Sequence, residues 1–335
     1  VMQIAQVLAS YTLGGADMLR RCLSGTTQVV DAESGQKVSL KQIADNTKDW
    51  LGRTIVTLDP ETQQISKAPI AEIFPNGTRK VWEIRTKTNR RIRATDDNLF
   101  YTLNGWQPLA DFSEHDAVGL AANIPVTGDL DISDEQIKLT AYLIGDGHLS
   151  TRQPANSYFC NSDTRLIDDF NDCCAFLFGK KAPVDHQQHP GKSNVYYARV
   201  GCVSEFNQWI DHHIKRAHSH HKVIPDWVYR LPYDKLRLFI GTLWSTDGTF
   251  DISIGHADYT STSKKLIEQL QHLLLRLGIV ALFNVKKSSY KGQVHLSYRA
   301  QITGKRDMLR FHHQVHEYLS DDKQIKSQQC HEIIK

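Results

Sequence analysis

The strongest constraint on the fold is an internal repeat. Laid against itself at an offset of about 101 residues, the chain aligns LTAYLIGDG, ending at Gly147, with IGTLWSTDG, ending at Gly248. Repeated supersecondary units bury their apolar faces against one another. A hairpin-like stretch follows each motif, at 148–162 and 249–262. An apolar-periodic helix comes next, TRLIDDFNDCCAFLFG in one copy and SKKLIEQLQHLLLRLG in the other. Strand pairs at 181–201 and 281–302 then turn at His189-Pro190-Gly191 and Tyr290-Lys291-Gly292, and each copy closes with a helix. Each unit reads α-β-β-α-β-β-α. The simplest architecture is an α+β domain of two pseudo-symmetric halves whose four-stranded sheets face one ligand.

Upstream the texture differs. Short β-prone runs, TIVTL at 54–58, KVWEIRT at 80–86 and RRIRAT at 90–95, are punctuated by Asp, Asn and Gly turns and predict a mainly β unit over 22–125. Residues 1–21 carry a helical period at Val1, Ile4, Val7 and Leu8 that breaks at Gly14-Gly15. A length of 335 residues exceeds one ordinary core, and 40% hydrophobic with 23% charged residues is a folding composition. No apolar run approaches eighteen residues and no secretory leader opens the chain, so the expected location is cytoplasmic with no membrane partner. The cysteines, Cys22, Cys160, Cys173, Cys174, Cys202 and Cys330, form no C-x-x-C pair and read as reduced thiols. A formal charge of +3 does not by itself argue for nucleic acid.

In the repeated helices, small residues stand four apart at Ala141 and Gly145 and again at Gly241 and Ser245, giving each helix a flat face for close packing. Packed so, Asp146 and Asp247 emerge together at one end. Two such carboxylates repel unless a divalent cation lies between them, and hard oxygen ligands suit Mg²⁺. A single Asp-Gly is a common helix stop; two of them, each followed by the same succession of elements, is the pattern of the LAGLIDADG (DOD-type) homing endonucleases, which residues 130–320 resemble. That resemblance implies that Asp146 and Asp247 are the metal-binding catalytic pair of a site-specific double-strand DNA endonuclease, monomeric with internal pseudo-two-fold symmetry. It implies that the two sheets read the major groove, with Arg199, Lys286, Lys287, Lys291 and Arg299 as candidate base or phosphate contacts. Lys222-Val223-Ile224-Pro225 resembles the K-x-I-P block between the two motifs of such enzymes, which puts Lys222 near the cleavage centre. The neighbouring histidines, His212, His213, His218, His220 and His221, lack the cysteines of a closed zinc set and read as a polar loop.

A second chemistry resides at Cys22. The segment CLSGTTQVVDAESGQKVSL resembles the opening block of bacterial inteins, while the preceding VMQIAQVLASYTLGGADMLRR resembles the bacterial DNA polymerase III α subunit. The resemblance makes residues 1–21 an N-extein, Arg21-Cys22 the scissile bond and Cys22 the nucleophile of an N-to-S acyl shift, which needs no cofactor. RIRATDDNLFYTLNGWQPL resembles the second splicing block, T-x-x-H, with Thr95 in place and Asn98 where the family has histidine. Asparagine donates a hydrogen bond but carries no titratable proton, so the first step is either compensated elsewhere, with Asp97 nearby, or impaired. Residues 126–322 are thus the endonuclease, and 323–335 read as the start of a return to the splicing domain. The chain stops at CHEIIK without a terminal His-Asn, and as written completes no cis-splicing. Truncation, decay and a split element served by a separate C-terminal half all remain open. The DNA target implied is the host polymerase gene lacking the insertion. Two other readings stand beside this one, a maturase-like binder of RNA or DNA and a polymerase fragment.

Overall fold

Short β-prone runs separated by tight turns pair with their nearest neighbours, and the first unit, which ends at Ala121, is built from such hairpins. The computed structural model describes residues 21–59, 61–152, 154–188, 194–201, 203–290 and 292–335. The helical, polymerase-like reading of residues 1–20 lies outside them, as do Cys202, Lys291 and the turn at 189–191. Strand β1 (Gln28–Val30) pairs with β2 (Lys37–Ser39), β3 (Thr54–Leu58) with β4 (Ile65–Pro69), β5 (Trp82–Arg85) with β6 (Arg91–Ala94), and β7 (Leu99–Thr102) with β8 (Gly105–Pro108), all antiparallel. Isolated bridges Leu23↔Ala94 and Asp31↔Ile55 link hairpins distant in sequence. Ala32, Ile43, Ala94 and Phe100 are buried in this unit. Two short helices, α1 (Leu40–Asp45) and α2 (Thr47–Trp50), interrupt the β texture. Their signal is a capping box, in which the Ser39 side chain accepts from Gln42 N–H while Gln42 Oε1 accepts from Ser39 N–H.

The second unit, from Ala122, contains both repeats. The first runs α3 (Asp134–Ile144), β9 (Gly147–His148), β10 (Tyr158–Asn161), α4 (Thr164–Phe178), β11 (Val184–Gln187), β12 (Val195–Arg199) and α5 (Ser204–His213). The second runs α6 (Tyr233–Asp247), β13 (Gly248–Asp251), β14 (His256–Ser261), α7 (Lys264–Arg276), β15 (Leu282–Tyr290), β16 (Gln293–Ile302) and α8 (Lys305–Val315). Three of these helices begin where an oxygen-bearing side chain takes an orphan amide: Ser133 caps α3, Asp163 caps α4 and Ser263 caps α7. The four-stranded sheets have spatial orders β11-β12-β10-β9 and β13-β14-β16-β15. Each is covered on one face by its own core, Leu139, Tyr142, Phe159, Phe170 and Phe206 in one half and Trp244, Tyr259, Leu270 and Phe311 in the other.

Two segments pack elsewhere than their sequence assignment. Residues 122–125, placed with the first unit on texture, pack in the second, because Ile124 and Val126 are buried and Ile124 N–H bonds Leu275 O. Residues 323–335, read as a return to the splicing domain, form helix α9 (Asp321–Ile334) as far as Ile334, and its Cys330 belongs to the core containing Trp244. The linker is anchored by Arg276, 2% exposed, whose guanidinium donates to the carbonyls of Val126, Tyr229 and Leu231. Its Arg276→Ala variant orphans buried acceptors, each costing about 1–3 kcal/mol, and is expected to lose about 3 kcal/mol of stability. A urea-unfolding midpoint equal to wild type would contradict this.

Candidate functional site

Helices α3 and α6 meet at their C-terminal ends. A Cβ on Gly145 would lie 2.0 Å from Thr246 Oγ1 and 2.6 Å from Thr246 Cβ, so only glycine permits the observed approach. Ala141 is fully buried in the core that includes α6. Gly241 and Ser245, expected on the matching face, lie elsewhere. A Cβ on Gly241 would meet Tyr318 Cβ at 2.4 Å, and Ser245 Oγ accepts from Ser320 N–H at 2.8 Å. The reason is register. The alignment that equates Asp146 with Asp247 equates Gly145 with Thr246 and Ala141 with Thr242, and a one-residue offset turns a helical side chain by about 100°.

At the end of this helix pair stand Asp146 and Asp247. Burial first, then the charge of Asp247, push the Asp146 carboxyl up to about 7, while Asn161 Nδ2, donating at 2.7 Å, and the ammonium groups of Lys222 and Lys323 oppose that rise. Burial raises Asp247 as well, against the same two lysines. Lys222 Nζ donates to Ile144 O at 2.8 Å and Gly145 O at 2.6 Å, the orphan carbonyls ending α3. Lys323, on α9, donates in the same manner to Gly248 O, just beyond α6. Each helix C-terminus therefore holds one lysine ammonium, favoured by the dipole and by the carboxylate beside it.

Lys222 is held from α7. Ser263 Oγ donates to Lys222 O, and Gln269 clamps Ile224 by accepting from its N–H and donating to its carbonyl, both at 2.9 Å. Sequence reading missed Lys323, Asn161, Ser263 and Gln269. Lys323 had a signal: the repeat offset that carries Asp146 to Asp247 carries Lys222 to Lys323. Among the described residues no cluster of three or more His, Cys, Asp or Glu could hold a metal. The carboxylate pair nonetheless fits a hard divalent cation, which takes one or two protein carboxylates and fills its remaining positions with water and substrate oxygens. The basis of this fit is the donor set, two buried carboxylates beside each other at the helix ends, whose charge a cation would offset.

The remaining candidates divide between the faces of the two sheets. Strand alternation places His148, Tyr158, Tyr197 and Arg199 on one face. Arg199 lies over the rings of Tyr158 and Tyr197, 5.4 Å from each, and donates to Asp185 Oδ2 at 3.1 Å. In the second sheet Asn284, Lys286, Arg299 and Asp258 share the outer face, with Arg299 3.3 Å from Asp258. Lys287 points to the other face, with Phe283 and Ala300, because neighbouring strand residues alternate; only Lys286 of that pair shares the face of Arg299. Lys291 lies outside the described residues.

In the first unit, Cys22 is half-buried and fixed by Thr95. Cys22 N–H donates to Thr95 Oγ1 at 2.9 Å, and Thr95 N–H donates to Cys22 O at 2.9 Å. Arg21 precedes it directly. Asn98 lies in the turn after β6; its N–H donates to Thr95 O and its carbonyl accepts from Leu109 N–H. An unforeseen neighbour is Asn76, whose Nδ2 donates to Cys22 Sγ at 3.2 Å.

Residues 234–316 match the family model of the LAGLIDADG-like domain. Over 305 residues, 88% of its length, the chain is 26% identical to the replicative DNA helicase DnaB of Synechocystis sp., of which it covers 34%. Over 276 residues, 77% of its length, it is 26% identical to the protein RecA of Mycobacterium tuberculosis, covering 33% of that protein. The crystal structure of a DnaB intein from Synechocystis sp. is similar at 26% identity and a TM-score of 0.28, over 30% of this chain and 69% of that one. The chain thus spans about a third of the length of the curated relatives it matches. Among the described residues, no helix is long and apolar enough to cross a membrane.

Proposed function

We propose that this chain is an intein carrying a LAGLIDADG homing endonuclease, which combines a protein-splicing acyl shift at Arg21-Cys22 with metal-dependent double-strand cleavage of DNA. The observation that carries the endonuclease reading is the juxtaposition of Asp146 and Asp247 at the ends of α3 and α6, each helix end holding one lysine. The family match over 234–316 supports it. The insertion reading draws on the relatives, since a helicase and a RecA protein each match this chain over only about a third of their own length. A segment common to hosts of different function is what a mobile element produces.

Asp146 and Asp247 would hold the cation, Mg²⁺ or a similar ion, which when bound supplies positive charge beside the phosphodiester as negative charge builds there. Asn161 fixes the Asp146 carboxylate. Lys222 commits two of its three N–H donors to Ile144 and Gly145, and the third would serve a bound phosphate or the departing oxygen. Lys323, which donates to Gly248 O, would serve the opposite strand in the same way. The outer sheet faces, with Arg199, Lys286 and Arg299, would contact the duplex spanning the uninterrupted polymerase gene, and the two halves would act within one monomer. In the acyl shift, Cys22 Sγ attacks the carbonyl carbon of Arg21, the carbon–nitrogen bond breaks and the thiol proton ends on Cys22 nitrogen, leaving a thioester. Thr95 holds that nitrogen and the Cys22 carbonyl during the transfer.

Both activities are tested on the purified chain. Mg²⁺-dependent cutting of a plasmid bearing the uninterrupted polymerase junction is expected. Failure to cut that plasmid or a randomised target library with Mg²⁺ or Mn²⁺ would overturn the endonuclease reading. Dithiothreitol is expected to release residues 1–21, seen by intact mass, with Cys22→Ala abolishing the release and Asn98→His accelerating it.

A further inference from the structure

Asn76 lies far from Cys22 in sequence, on the loop between β4 and β5, yet its side chain reaches the sulfur. Pro75 before it restricts the backbone, and Gly77 after it takes a φ of +65°, a left-handed conformation that turns the chain there. Its amide orientation is fixed at both ends. Nδ2 donates to Cys22 Sγ at 3.2 Å, and Oδ1 accepts from Arg79 Nη2 at 3.5 Å; exchanging the two amide atoms would set donor against donor at Arg79 and leave the sulfur facing an oxygen that no thiolate can pair with.

We propose that Asn76 is a positioning residue for the acyl shift, with its amide N–H holding the Cys22 sulfur and stabilising the negative charge that sulfur carries as it attacks Arg21. This rests on the reading of Cys22 as nucleophile. The step needs a sulfur anion at the scissile carbonyl, and a neutral donor supports that anion without competing for its proton. Thr95 grips the Cys22 backbone and Asn76 donates to its sulfur, so the two together fix the attacking atom relative to the peptide it attacks. The Arg79 guanidinium draws electron density from the Asn76 carbonyl oxygen and strengthens the N–H as a donor.

The test measures the sulfur directly. The rate of Cys22 alkylation by iodoacetamide at pH 7.5, assigned by peptide mapping, is compared among wild type, Asn76→Ala and Asn76→Asp, alongside dithiothreitol-dependent release of residues 1–21. The amide donor stabilises the anion that attacks, and the lower nucleophilicity of the stabilised anion cancels part of that gain. Asn76→Ala is therefore expected to alkylate about threefold more slowly, and Asn76→Asp more slowly still, because an isosteric carboxylate repels the anion. An Asn76→Asp rate equal to wild type with only the alanine variant slowed would reduce Asn76 to a loop scaffold and overturn the proposal. Equal rates in all three forms would overturn it as well. Ordered alkylation without peptide release in any form would support the Asn76 contact and reject the nucleophile reading instead.

Discussion

Replacing Asp146 or Asp247 with asparagine is expected to lower strand cleavage by about a thousandfold or more while leaving duplex affinity within about twofold of wild type. The variants remove a charged oxygen ligand but keep the side-chain shape, and the sheet faces that would contact DNA are untouched. A stability signature goes with the loss. Both carboxyls are raised by burial, and Asp146 also by its neighbour, so the folded protein binds more protons than the unfolded chain between the ordinary carboxyl value of 3.8 and about 7. In metal-free buffer the wild type should therefore lose stability as pH rises through that window. Asp146→Asn should lose less, since the group that titrates is gone. Undiminished cleavage by the double asparagine variant, or a variant whose pH dependence of unfolding matches wild type, would reject the assignment.

What the sequence conveyed was periodicity. The offset repeat, the helices beginning after Asp163 and Ser263 and the paired Asp-Gly ends all depend on local pattern, and the structure has each of these elements. What it did not convey was the choice among faces. Gly241 and Ser245 look like a small-residue face by spacing alone, but the helix has more than one neighbour, and the segment around Tyr318 and Ser320 takes that side. Lys287 looked equivalent to Lys286 until strand register assigned them opposite faces. Long-range contacts were least legible. Asn76 on Cys22, Gln269 on Ile224 and Arg276 on Val126 join residues with no periodic relation, and the last two depend on backbone groups that secondary structure leaves for side chains to pair. Lys323 is readable from the repeat offset, which carries Lys222 to it, although it lies beyond the last motif of the second repeat.

The same distinction between faces predicts that two glycine substitutions fail in different ways. In Gly145→Leu the new side chain begins where its Cβ is 2.0–2.9 Å from the Thr246 side chain, a contact that no rotamer relieves because the clash starts at Cβ. The helices α3 and α6 must separate, and overpacking of this kind is expected to cost about 3 kcal/mol or more, or a fall in melting temperature of about 6–12 °C for a domain of this size. Separation also parts Asp146 from Asp247, so cleavage is lost with it. Gly241→Ala instead strikes Tyr318, at its Cβ and backbone carbonyl, and pushes the segment that leads into α9. Its expected result is a smaller loss of stability, about 1–3 kcal/mol, with the α3–α6 contact kept and Lys323 displaced from Gly248 O. Cleavage should then weaken while cation binding by the carboxylate pair, followed by Mn²⁺ titration calorimetry, persists. Wild-type melting in Gly145→Leu would mean that these helices do not approach as closely as the Gly145 contact requires, and loss of Mn²⁺ binding in Gly241→Ala would mean that the two faces of α6 are not independent.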